Sequence, residues 1–433
     1  MKRSPRNVKI SFSGKRLTHF GGLYLIQRFF QKINLRSLLS QYTHFLQRNN
    51  RYAVSEEMLA LIYPISLGLG RIETSHLLKQ NGVFQYLTGV PTYPNPTTLR
   101  RFLLRMAPLV LPKLRKLHDR LLLTMIVRPK PPVRVVFDLD STVLILYGKQ
   151  EMARIGYNPQ RWGRPSYHPL LCFNGMTKDF WHGELRPGNT HSATGAVDLL
   201  KAVFAKLPAS VRIVIIRADK GFYDHEIIEH LESKKALFII VARLTSPIKR
   251  TLSTLRYRVH SSGLETAEFM YQPTNWKGDY RFVVVRRLIP EDPSEQLTLF
   301  SMGKYTYQVV VTNMKLTPLN TWRYYNGRAA VELIIKELKG NYPLGKIPTK
   351  HFLANEAYFH ILLFSYNLIN WFKRLCLPKE FQTMTLKSLS SHFLSIPSEL
   401  TKTENRPILK LPANFIYRNA FEYAVNKIEK LKI

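Results

Sequence analysis

The spacing of hydrophobic positions along the chain changes near residue 130. Up to residue 128, apolar residues recur every three or four positions, which is typical of amphipathic helices. In the stretch "YPNPTTLRRFLLRMAP" this spacing turns Leu99, Phe102, Leu103 and Met106 to one side. The proline-rich stretch "RPKPPVR" follows, and beyond it short β-branched runs replace the helical pattern. The pattern therefore predicts a helical first third and an α/β remainder.

Strand and helix candidates follow one another in a definite order after residue 130. Three strand candidates come first, namely "VRVVFDLDS", "VLILYG" and "YHPLLCFNGM". Helical stretches then alternate with the apolar strands "VRIVIIRAD" and "ALFIIVAR". A meander followed by this alternation predicts an α/β sheet that mixes antiparallel and parallel pairs. The ribonuclease H-like fold has this order, with a mixed five-stranded sheet and flanking helices.

The alternation stops between residues 245 and 311. Stretches such as "DYRFVVVRRLI" and "YTYQVVVTNM" have the composition of strands and are separated by polar turns. We interpret this segment as a β-rich insertion. Helical patterns return in "YYNGRAAVELIIKELKGNY" and in the long apolar stretch at 352–375. We expect the remaining residues, 377–433, to be helical.

Charge narrows the class of partner. The chain has 64 Lys and Arg against 29 Asp and Glu, a formal net charge of +35, and no acidic residue precedes Glu56. Such an excess favours a polyanion, usually nucleic acid, because neutralised phosphates release counterions. A membrane is disfavoured, since neither a basic amphipathic helix with an aromatic face nor an apolar run of spanning length stands out. A structural nucleic-acid binder would carry the same charge, so charge alone does not predict an enzyme.

Processing signals, cysteines and histidines set further limits. The N-terminal stretch "MKRSPRNVKISFSGKR" lacks the apolar core of a signal peptide, so we expect none. The two cysteines, Cys172 and Cys376, exclude a disulfide framework and a cysteine-based zinc cluster, and are typical of a reducing cytoplasm. Three histidines in polar turns lack metal-ligand spacing, and we expect all of them to be exposed: His168, His182 and His191.

The stretch "YYNGRAAVELIIKELKGNY" predicts a helix with one polar stripe. At about 100° per residue, one narrow face carries five polar side chains: Tyr325, Arg328, Glu332, Lys336 and Lys339. Apolar side chains occupy the opposite face: Val331, Ile334, Ile335 and Leu338. From the helix alone, an ordinary solvent-facing stripe and a functional stripe both remain open.

Acidic residues stand at the ends of two predicted strands. Asp140 ends the first strand and Asp219 ends the first parallel strand, and function gathers beyond the carboxyl ends of strands in open α/β sheets. Two carboxylates that meet there would repel each other without a cation, which suggests Mg²⁺. Glu332 would bring a third carboxylate, enough for two ions bridged by a scissile phosphate. Asp138 shares the strand face of Asp140, and we choose Asp140 because a Ser-Thr turn follows it.

Three stretches resemble, in order, the acidic motifs of DDE transposases from bacterial insertion sequences: "FDLDST", "RADKGFYD" and "YNGRAAVELIIKELK". The last one matches the signature Tyr-x₂-Arg-x₃-Glu-x₆-Lys at every position, with Tyr325, Arg328, Glu332 and Lys339. The resemblance covers roughly residues 17–375 and includes "GGLYLIQRFF", "NPTTLRRF", "GYNPQRWGRPSYHPLLCF" and "RPGNTHS". In that family a β-rich insertion precedes the glutamate, and the β-like segment here has the same place.

The resemblance implies a ribonuclease H-like core in which Asp140, Asp219 and Glu332 are catalytic and bind two Mg²⁺ ions, with Mn²⁺ as a substitute. It implies a homodimer that brings together the double-stranded terminal inverted repeats of an insertion sequence. The implied reaction is cut-and-paste cleavage and transfer into target DNA. The backbone of the transposon end would be held by Tyr325, Arg328 and Lys339. The implied location is the bacterial cytoplasm, in association with the nucleoid.

We predict five regions on this basis. They are a basic helical DNA-binding domain at 1–130, the first part of the ribonuclease H-like core at 131–244, the β-rich insertion at 245–311, the final part of the core with the catalytic helix at 312–376, and a C-terminal helical region at 377–433.

The helix after Pro96 offers candidate DNA contacts in the first region. Thr98, Arg101 and Arg105 lie on the side opposite its apolar face. This arrangement matches the recognition helix of a helix-turn-helix, in which such side chains contact base edges. An ordinary surface helix with two arginines explains the pattern equally well.

Two other classes compete with an active transposase. A non-catalytic DNA-binding protein derived from a transposase would keep the basic first third and lose the acids, but all three acids are present. A ribonuclease H-like nuclease without strand transfer would not need the Tyr, Arg and Lys around Glu332. The sequence therefore favours a transposase with strand-transfer activity.

Overall fold

The computed structural model describes residues 10–11, 16–46, 51–128, 130–158, 161–261, 263–289, 300–404 and 406–432. The chain divides into two compact units. The first unit comprises residues 1–114, 341–348 and 368–433, and the second comprises residues 115–340 and 349–367. The predicted boundary near residue 130 lies inside the second unit. That unit begins at residue 115, within the helix that runs from Pro96 to Ile126.

The described residues form the following helices: α1 (Leu23–Lys32), α2 (Leu35–Tyr42), α3 (Val54–Ser66), α4 (Ser75–Leu78), α5 (Gly82–Thr88), α6 (Pro96–Ile126), α7 (Ala196–Ala205), α8 (His225–Ser233), α9 (Ser246–Thr254), α10 (Pro318–Asn326), α11 (Ala329–Gly340), α12 (Phe352–Cys376), α13 (Leu386–Leu389) and α14 (Arg418–Lys430).

They also form the following strands: β1 (Leu17–Thr18), β2 (Arg134–Ser141), β3 (Leu144–Ile145), β4 (Arg154–Ile155), β5 (Pro165–Tyr167), β6 (Leu170–Asn174), β7 (Phe180–Glu184), β8 (Ile213–Ala218), β9 (Leu237–Val241), β10 (Arg258–Ser261), β11 (Leu264–Tyr271), β12 (Tyr280–Leu288), β13 (Phe300–Met302), β14 (Tyr305–Thr312), β15 (Ser398–Thr403) and β16 (Arg406–Lys410).

The first unit is mainly helical. The apolar face predicted for α6 is buried: Leu99, Phe102, Leu103 and Met106. A small antiparallel sheet joins β1 to β15 and β15 to β16. The prediction of a helical region at 377–433 was therefore wrong in part, since a β-hairpin lies between α13 and α14. Thr401 and Ile408 are β-branched residues, which favour strands, and they pair with each other in this hairpin. Glu404 adopts a positive φ of 50° where the chain turns.

One mixed sheet forms the centre of the second unit. In the described residues its strand order is β10-β11-β12-β14-β9-β8-β2-β6-β7, and β13 also pairs with β14. Strands β2, β8 and β9 run parallel to one another, whereas β6 and β7 are antiparallel to their neighbours. This is the mixed α/β sheet that the order of elements predicts.

The sheet extends beyond the five predicted strands. Strand β14 pairs with β9 antiparallel, with Val310 opposite Val241. The segment predicted as an insertion therefore continues the same sheet and also contributes α9. The physical reason is a shared apolar surface, since Val283 and Val310 lie in one buried cluster with Ile215 and Ile239.

The second strand of the meander differs from the prediction. The stretch "VLILYG" contributes only β3, which belongs to a small sheet of order β3-β5-β4. Strand β7 completes the meander instead, with Phe180 and Trp181 buried. Polar residues on both sides of β7 hide its short alternating pattern in the sequence.

Within the described parts of the chain, none of the helices combines the length and the apolar character that crossing a bilayer requires.

Candidate active site

Asp140 and Asp219 lie at the same edge of the main sheet. Strands β2 and β8 pair in parallel with Leu139 opposite Ala218, and an aspartate follows each of these two residues. The Oδ1 atom of Asp140 accepts a hydrogen bond from the backbone N–H of Ser141 at 2.8 Å. Asp219 Oδ1 accepts one from the N–H of Gly221 at 2.9 Å and begins a short 3₁₀ turn. Strand pairing thus brings together the two carboxylates that the sequence suggests.

The predicted catalytic helix is two helices. Helix α10 ends at Asn326 and α11 begins at Ala329, so the helix is interrupted at Gly327 and Arg328. A side chain at position 327 would collide with the guanidinium of Arg217, which explains the glycine. The apolar face of α11 is buried as predicted, and Glu332 stands on its exposed side.

Arg328 links two of the three acids. Its Nη2 lies 3.1 Å from Asp140 Oδ2, and its Nη1 donates to Glu332 Oε1 at 3.2 Å. It also donates to the carbonyl of Leu139 at 3.3 Å. The guanidinium is buried between the end of β2 and the start of α11. Arg328 therefore acts as a counter-ion inside the site.

Tyr325 points into the protein. It belongs to the apolar cluster that includes Val136 and Val310, and burial raises its pKa to about 12. Neither Tyr325 nor Arg328 is presented at the surface. Their role as contacts to a DNA backbone stays a prediction. Lys339 differs, because it is only partly buried and lines an open cavity.

Asp138 has a separate and closed environment. Arg217 donates to Asp138 Oδ1 at 2.6 Å and to Oδ2 at 2.8 Å, and both side chains are buried. The same guanidinium donates to the carbonyl of Tyr324 at 2.8 Å. The charge of Asp138 is therefore compensated within the protein, and the choice of Asp140 as the functional member of the pair stays a prediction.

Electrostatic interactions connect the three candidate acids. The pKa of Asp140 is raised to about 6. Burial is the largest cause, the carboxylates of Asp219 and Glu332 act in the same direction, and Arg328 opposes them. Burial also lowers the pKa of Lys339, while the charge of Asp140 raises it. Each of these groups lies close enough to influence Asp140, so they share one electrostatic neighbourhood.

A cavity of about 830 Å³ opens beside Asp219. Its lining includes three basic side chains and two histidines: Lys220, Arg243, Lys339, His168 and His191. The sequence suggests no role for these histidines, although they lie in or beside conspicuous stretches such as "RPGNTHS". His168 is half-buried, with its Nδ1 2.7 Å from the carbonyl of Thr190. The cavity therefore combines positive charge with one of the candidate acids.

His182 does not belong to this cavity. It lies on β7 and is half-buried, with its Nδ1 3.3 Å from the Nζ atom of Lys206. Burial lowers its pKa to about 3. The expectation of an exposed loop histidine is wrong at this position because the meander strand was not recognised in the sequence.

The acids suit a divalent cation only in part. Carboxylate oxygens are the donors that Mg²⁺ prefers, and a cation would relieve the repulsion between Asp140 and Asp219. However, no group of three His, Cys, Asp or Glu side chains in the described residues is arranged to hold a metal ion. Glu332 is paired with Arg328 instead. Two of the three predicted ligands fit, and the third does not converge on them in this conformation.

The candidate DNA contacts on α6 have mixed surroundings. Arg101 and Arg105 are both exposed, and Arg105 lies 3.3 Å from the buried carboxylate of Glu57. Thr98 is partly buried. Residues 89–95 connect α5 to α6, a connection longer than the three- or four-residue turn typical of a helix-turn-helix. The assignment of a recognition helix stays a prediction.

Comparison with known proteins places the chain in a family. The family described as "Transposase DDE domain group 1" matches residues 2–433. No curated protein sequence matches the chain. Among solved structures, a piggyBac transposase in a synaptic complex with hairpin DNA is similar, with 14% identity, 88% of each chain covered and a TM-score of 0.41. Because the family match spans nearly the whole sequence, the chain belongs to the family of transposase DDE domains, group 1.

Proposed function

We propose that the protein is an active DNA transposase whose catalytic site lies at the carboxyl ends of β2 and β8. The observation that carries this proposal is the parallel pairing that places Asp140 beside Asp219, with Glu332 joined to Asp140 through Arg328. Phosphoryl transfer to and from DNA requires acids clustered in this way. The strand order β7-β6-β2-β8-β9 supports a ribonuclease H-like core.

Asp140 and Asp219 would hold a divalent cation, Mg²⁺ or Mn²⁺, and Glu332 would join them after its ion pair with Arg328 opens. Such an ion, when bound, stabilises charge that develops on a phosphate during transfer. In the protein itself, Arg328 neutralises the acids and keeps Glu332 close to Asp140. Lys339, together with Lys220 and Arg243 in the cavity lining, offers positive charge to DNA phosphates.

The proposed substrates are the terminal inverted repeats of an insertion sequence and a target DNA, brought together by a homodimer. The net charge of +35 and the family support DNA as the partner. Arg101 and Arg105 in the first unit remain candidates for contacts to the inverted repeats. The proposed location is the bacterial cytoplasm, in association with the nucleoid.

Cleavage of an element's own ends tests the proposal. Full-length protein is incubated with linear DNA that carries both ends, in Mg²⁺ for cleavage and in Ca²⁺ for binding. Asp140→Asn, Asp219→Asn and Glu332→Gln should abolish cleavage and leave binding intact. Asp198→Asn is the matched control, because Asp198 forms an exposed ion pair with Lys201 on α7.

The same assay separates the competing classes. A non-catalytic DNA-binding protein would bind the ends without cleaving them, and the substitutions would then change nothing. A nuclease without strand transfer would cleave without joining the ends to target DNA. Normal cleavage by Asp140→Asn or Asp219→Asn would remove these acids from the proposed site.

A further inference from the structure

The segment that connects β3 to β5 exposes an unusual set of aromatic side chains. Tyr147, Tyr157 and Trp162 are 71%, 76% and 83% exposed. In the described parts of the chain, the other exposed large aromatic side chains are Tyr86 and Tyr423, at 58% and 41%. Three of these five side chains therefore lie within one short segment. Exposed aromatic side chains concentrated in one stretch of the chain favour an interaction site. We refer to residues 147–158 and 161–164 as the platform.

The platform is held in place by the second unit. The hydroxyl of Tyr167 donates to the carbonyl of Glu151 at 2.6 Å. The carboxylate of Glu151 accepts from the N–H of Phe352 at 2.9 Å and lies 2.8 Å from His351. A Cβ atom at Gly156 would collide with the carbonyl of Gly188, so the two chain segments pack backbone against backbone. The backbone beside Tyr157 is thus held in place, which lowers the entropic cost of binding there.

Basic side chains alternate with the aromatic ones on the platform. Four of them are exposed: Lys149, Arg154, Arg161 and Arg164. The guanidinium of Arg164 lies 5.9 Å from the ring centre of Tyr147. Glu151 is the single acid between residues 147 and 164, and its carboxylate is already engaged. Positive charge beside exposed rings is the chemistry that binds unpaired nucleotides, because bases stack on the rings while cations contact the phosphates.

The platform leads directly to the candidate active site. Tyr157 and Asn158 line the same cavity as Asp219 and Lys339. A DNA duplex keeps its base faces stacked inside the helix, whereas unpaired nucleotides can present them to Tyr157 and Trp162.

We propose that the platform binds unpaired nucleotides of the DNA substrate and holds them beside the cavity. Their bases stack on Tyr147, Tyr157 and Trp162, and the four exposed cations contact their phosphates. The inference rests on the proposed function for the identity of the substrate, and it adds a preference for single-stranded over paired DNA.

Binding of generic DNA tests the proposal without cleavage. Full-length protein in Ca²⁺ is titrated against a labelled oligothymidine of about 20 nucleotides and a blunt duplex of similar length, with fluorescence anisotropy as the readout. Tyr157→Ala and Trp162→Ala should each weaken oligothymidine binding about tenfold and duplex binding less than about twofold. Trp162→Phe should restore most of the loss. Tyr423→Ala is the matched control, since Tyr423 is an exposed aromatic residue on α14, outside the predicted DNA-binding domain, and it should change neither affinity.

Salt dependence tests the contribution of the cations. Arg161→Ala and Arg164→Ala should each reduce the slope of log K against log[salt] for oligothymidine by about 0.7, the value for one phosphate contact on a single strand. An unchanged salt slope in both variants would mean that neither arginine contacts a phosphate of the bound oligothymidine. That result would contradict the proposal.

Three other outcomes would overturn it. One is unchanged oligothymidine affinity in both Tyr157→Ala and Trp162→Ala. Another is equal weakening of oligothymidine and duplex binding. The third is a changed sedimentation coefficient in Trp162→Ala with unchanged DNA affinity, which would assign the platform to contact with a second copy of the chain.

Failure of this inference and failure of the proposed function give different results. If the wild type cleaves the ends and the platform variants bind oligothymidine normally, the platform proposal fails and the proposed function stands. Selective loss of oligothymidine binding in the platform variants, together with absent wild-type cleavage, would support the platform and remove the proposed catalysis.

Discussion

Two aspartates of strand β2, separated by one residue, have opposite surroundings. Asp138 is buried, and both of its oxygens accept hydrogen bonds from Arg217. Asp140 shares Arg328 with Glu332, whose side chain is 66% exposed. The first ion pair is closed on all sides, whereas the second reaches solvent through its glutamate. Asp138 is thus neutralised entirely within the protein, whereas the counter-ion of Asp140 is shared with a solvent-exposed carboxylate.

Cleavage activity should separate the two aspartates most strongly. Asp140→Asn should abolish cleavage with little change in the free energy of unfolding, because the substitution removes a carboxylate that burial already disfavours. Asp138→Asn should retain more cleavage activity and lose stability. Both quantities are measured on the same preparations by end cleavage and urea unfolding. The reverse ranking in cleavage would mean that Asp138 is the functional member of the pair.

Removal of Arg217 should produce the largest loss of stability. Arg217→Met leaves Asp138 as an uncompensated buried charge, so the free energy of unfolding should fall by about 3–5 kcal/mol. Urea unfolding followed by circular dichroism measures the change. Arg212→Met is a suitable control, since Arg212 is exposed just before β8. A loss below about 1 kcal/mol would show that the Asp138 pair is not closed in solution.

A second region of the same unit contains a buried histidine, His118, whose protonation changes on unfolding. Arg115 donates to His360 at 3.1 Å, and Lys206 lies 2.6 Å from Asp119. Burial lowers the pKa of His118, in the same region, to about 3. His118 is therefore neutral in the folded protein and takes up a proton on unfolding below about pH 6.5. The unfolded state then binds more protons, so this contribution to stability is present above pH 6.5 and is lost as the pH falls.

Substitution of His118 tests this pH dependence. His118→Gln should flatten the dependence of unfolding free energy on pH between about 4 and 6.5, by up to about 1.4 kcal/mol per pH unit. Urea unfolding across this range measures the slope. His76→Gln, at an exposed position on α4, provides the control. An unchanged slope in His118→Gln would show that His118 already accepts a proton in the folded state.

Calcium should distinguish the open ion pair from the closed one. Arg328→Gln leaves Asp140 and Glu332 without their counter-ion and should lower stability by about 1–3 kcal/mol in the absence of divalent cations. Added Ca²⁺ should recover more stability in this variant than in the wild type, because the released carboxylates are free to bind it. Arg217→Met should show no such recovery. Thermal unfolding with and without Ca²⁺ measures the change in stability. An equal gain in stability in Arg328→Gln and Arg217→Met would mean that Ca²⁺ does not distinguish the two ion pairs.

The sequence predicts the positions of the acids better than their partners. Apolar β-branched runs end at Asp140 and Asp219, so their place at strand ends can be read directly. The same is true of the buried face of α11. The pairing of Asp138 with Arg217 cannot be read this way, because it depends on the register of two strands far apart in sequence. A register is set by the packing of the whole sheet.

The break between α10 and α11 illustrates the same limit. The helical pattern of the sequence continues across Gly327, and a helix can contain a single glycine, so the pattern predicts one uninterrupted helix. The helix is nevertheless interrupted at Gly327 and Arg328, where the Arg217 guanidinium lies beside the glycine. Tyr325 and Arg328 are buried, whereas Glu332 is exposed and Lys339 is partly exposed. A stripe that appears uniform along the sequence therefore contains side chains with two different roles.

The smallest expected effect separates these roles on the two sides of the break. Lys339 lines the cavity, so Lys339→Ala should weaken binding to transposon ends and reduce the slope of log K against log[salt] by about 0.9, the value for one duplex phosphate contact. Arg328→Ala should leave the slope unchanged, because its charge is used inside the protein by Asp140 and Glu332. Gel-shift titrations in Ca²⁺ at several salt concentrations provide both slopes. A reduced slope in Arg328→Ala would mean that the arginine leaves the acids and contacts DNA when the ends bind, and that the counter-ion of Asp140 is exchanged during assembly with DNA.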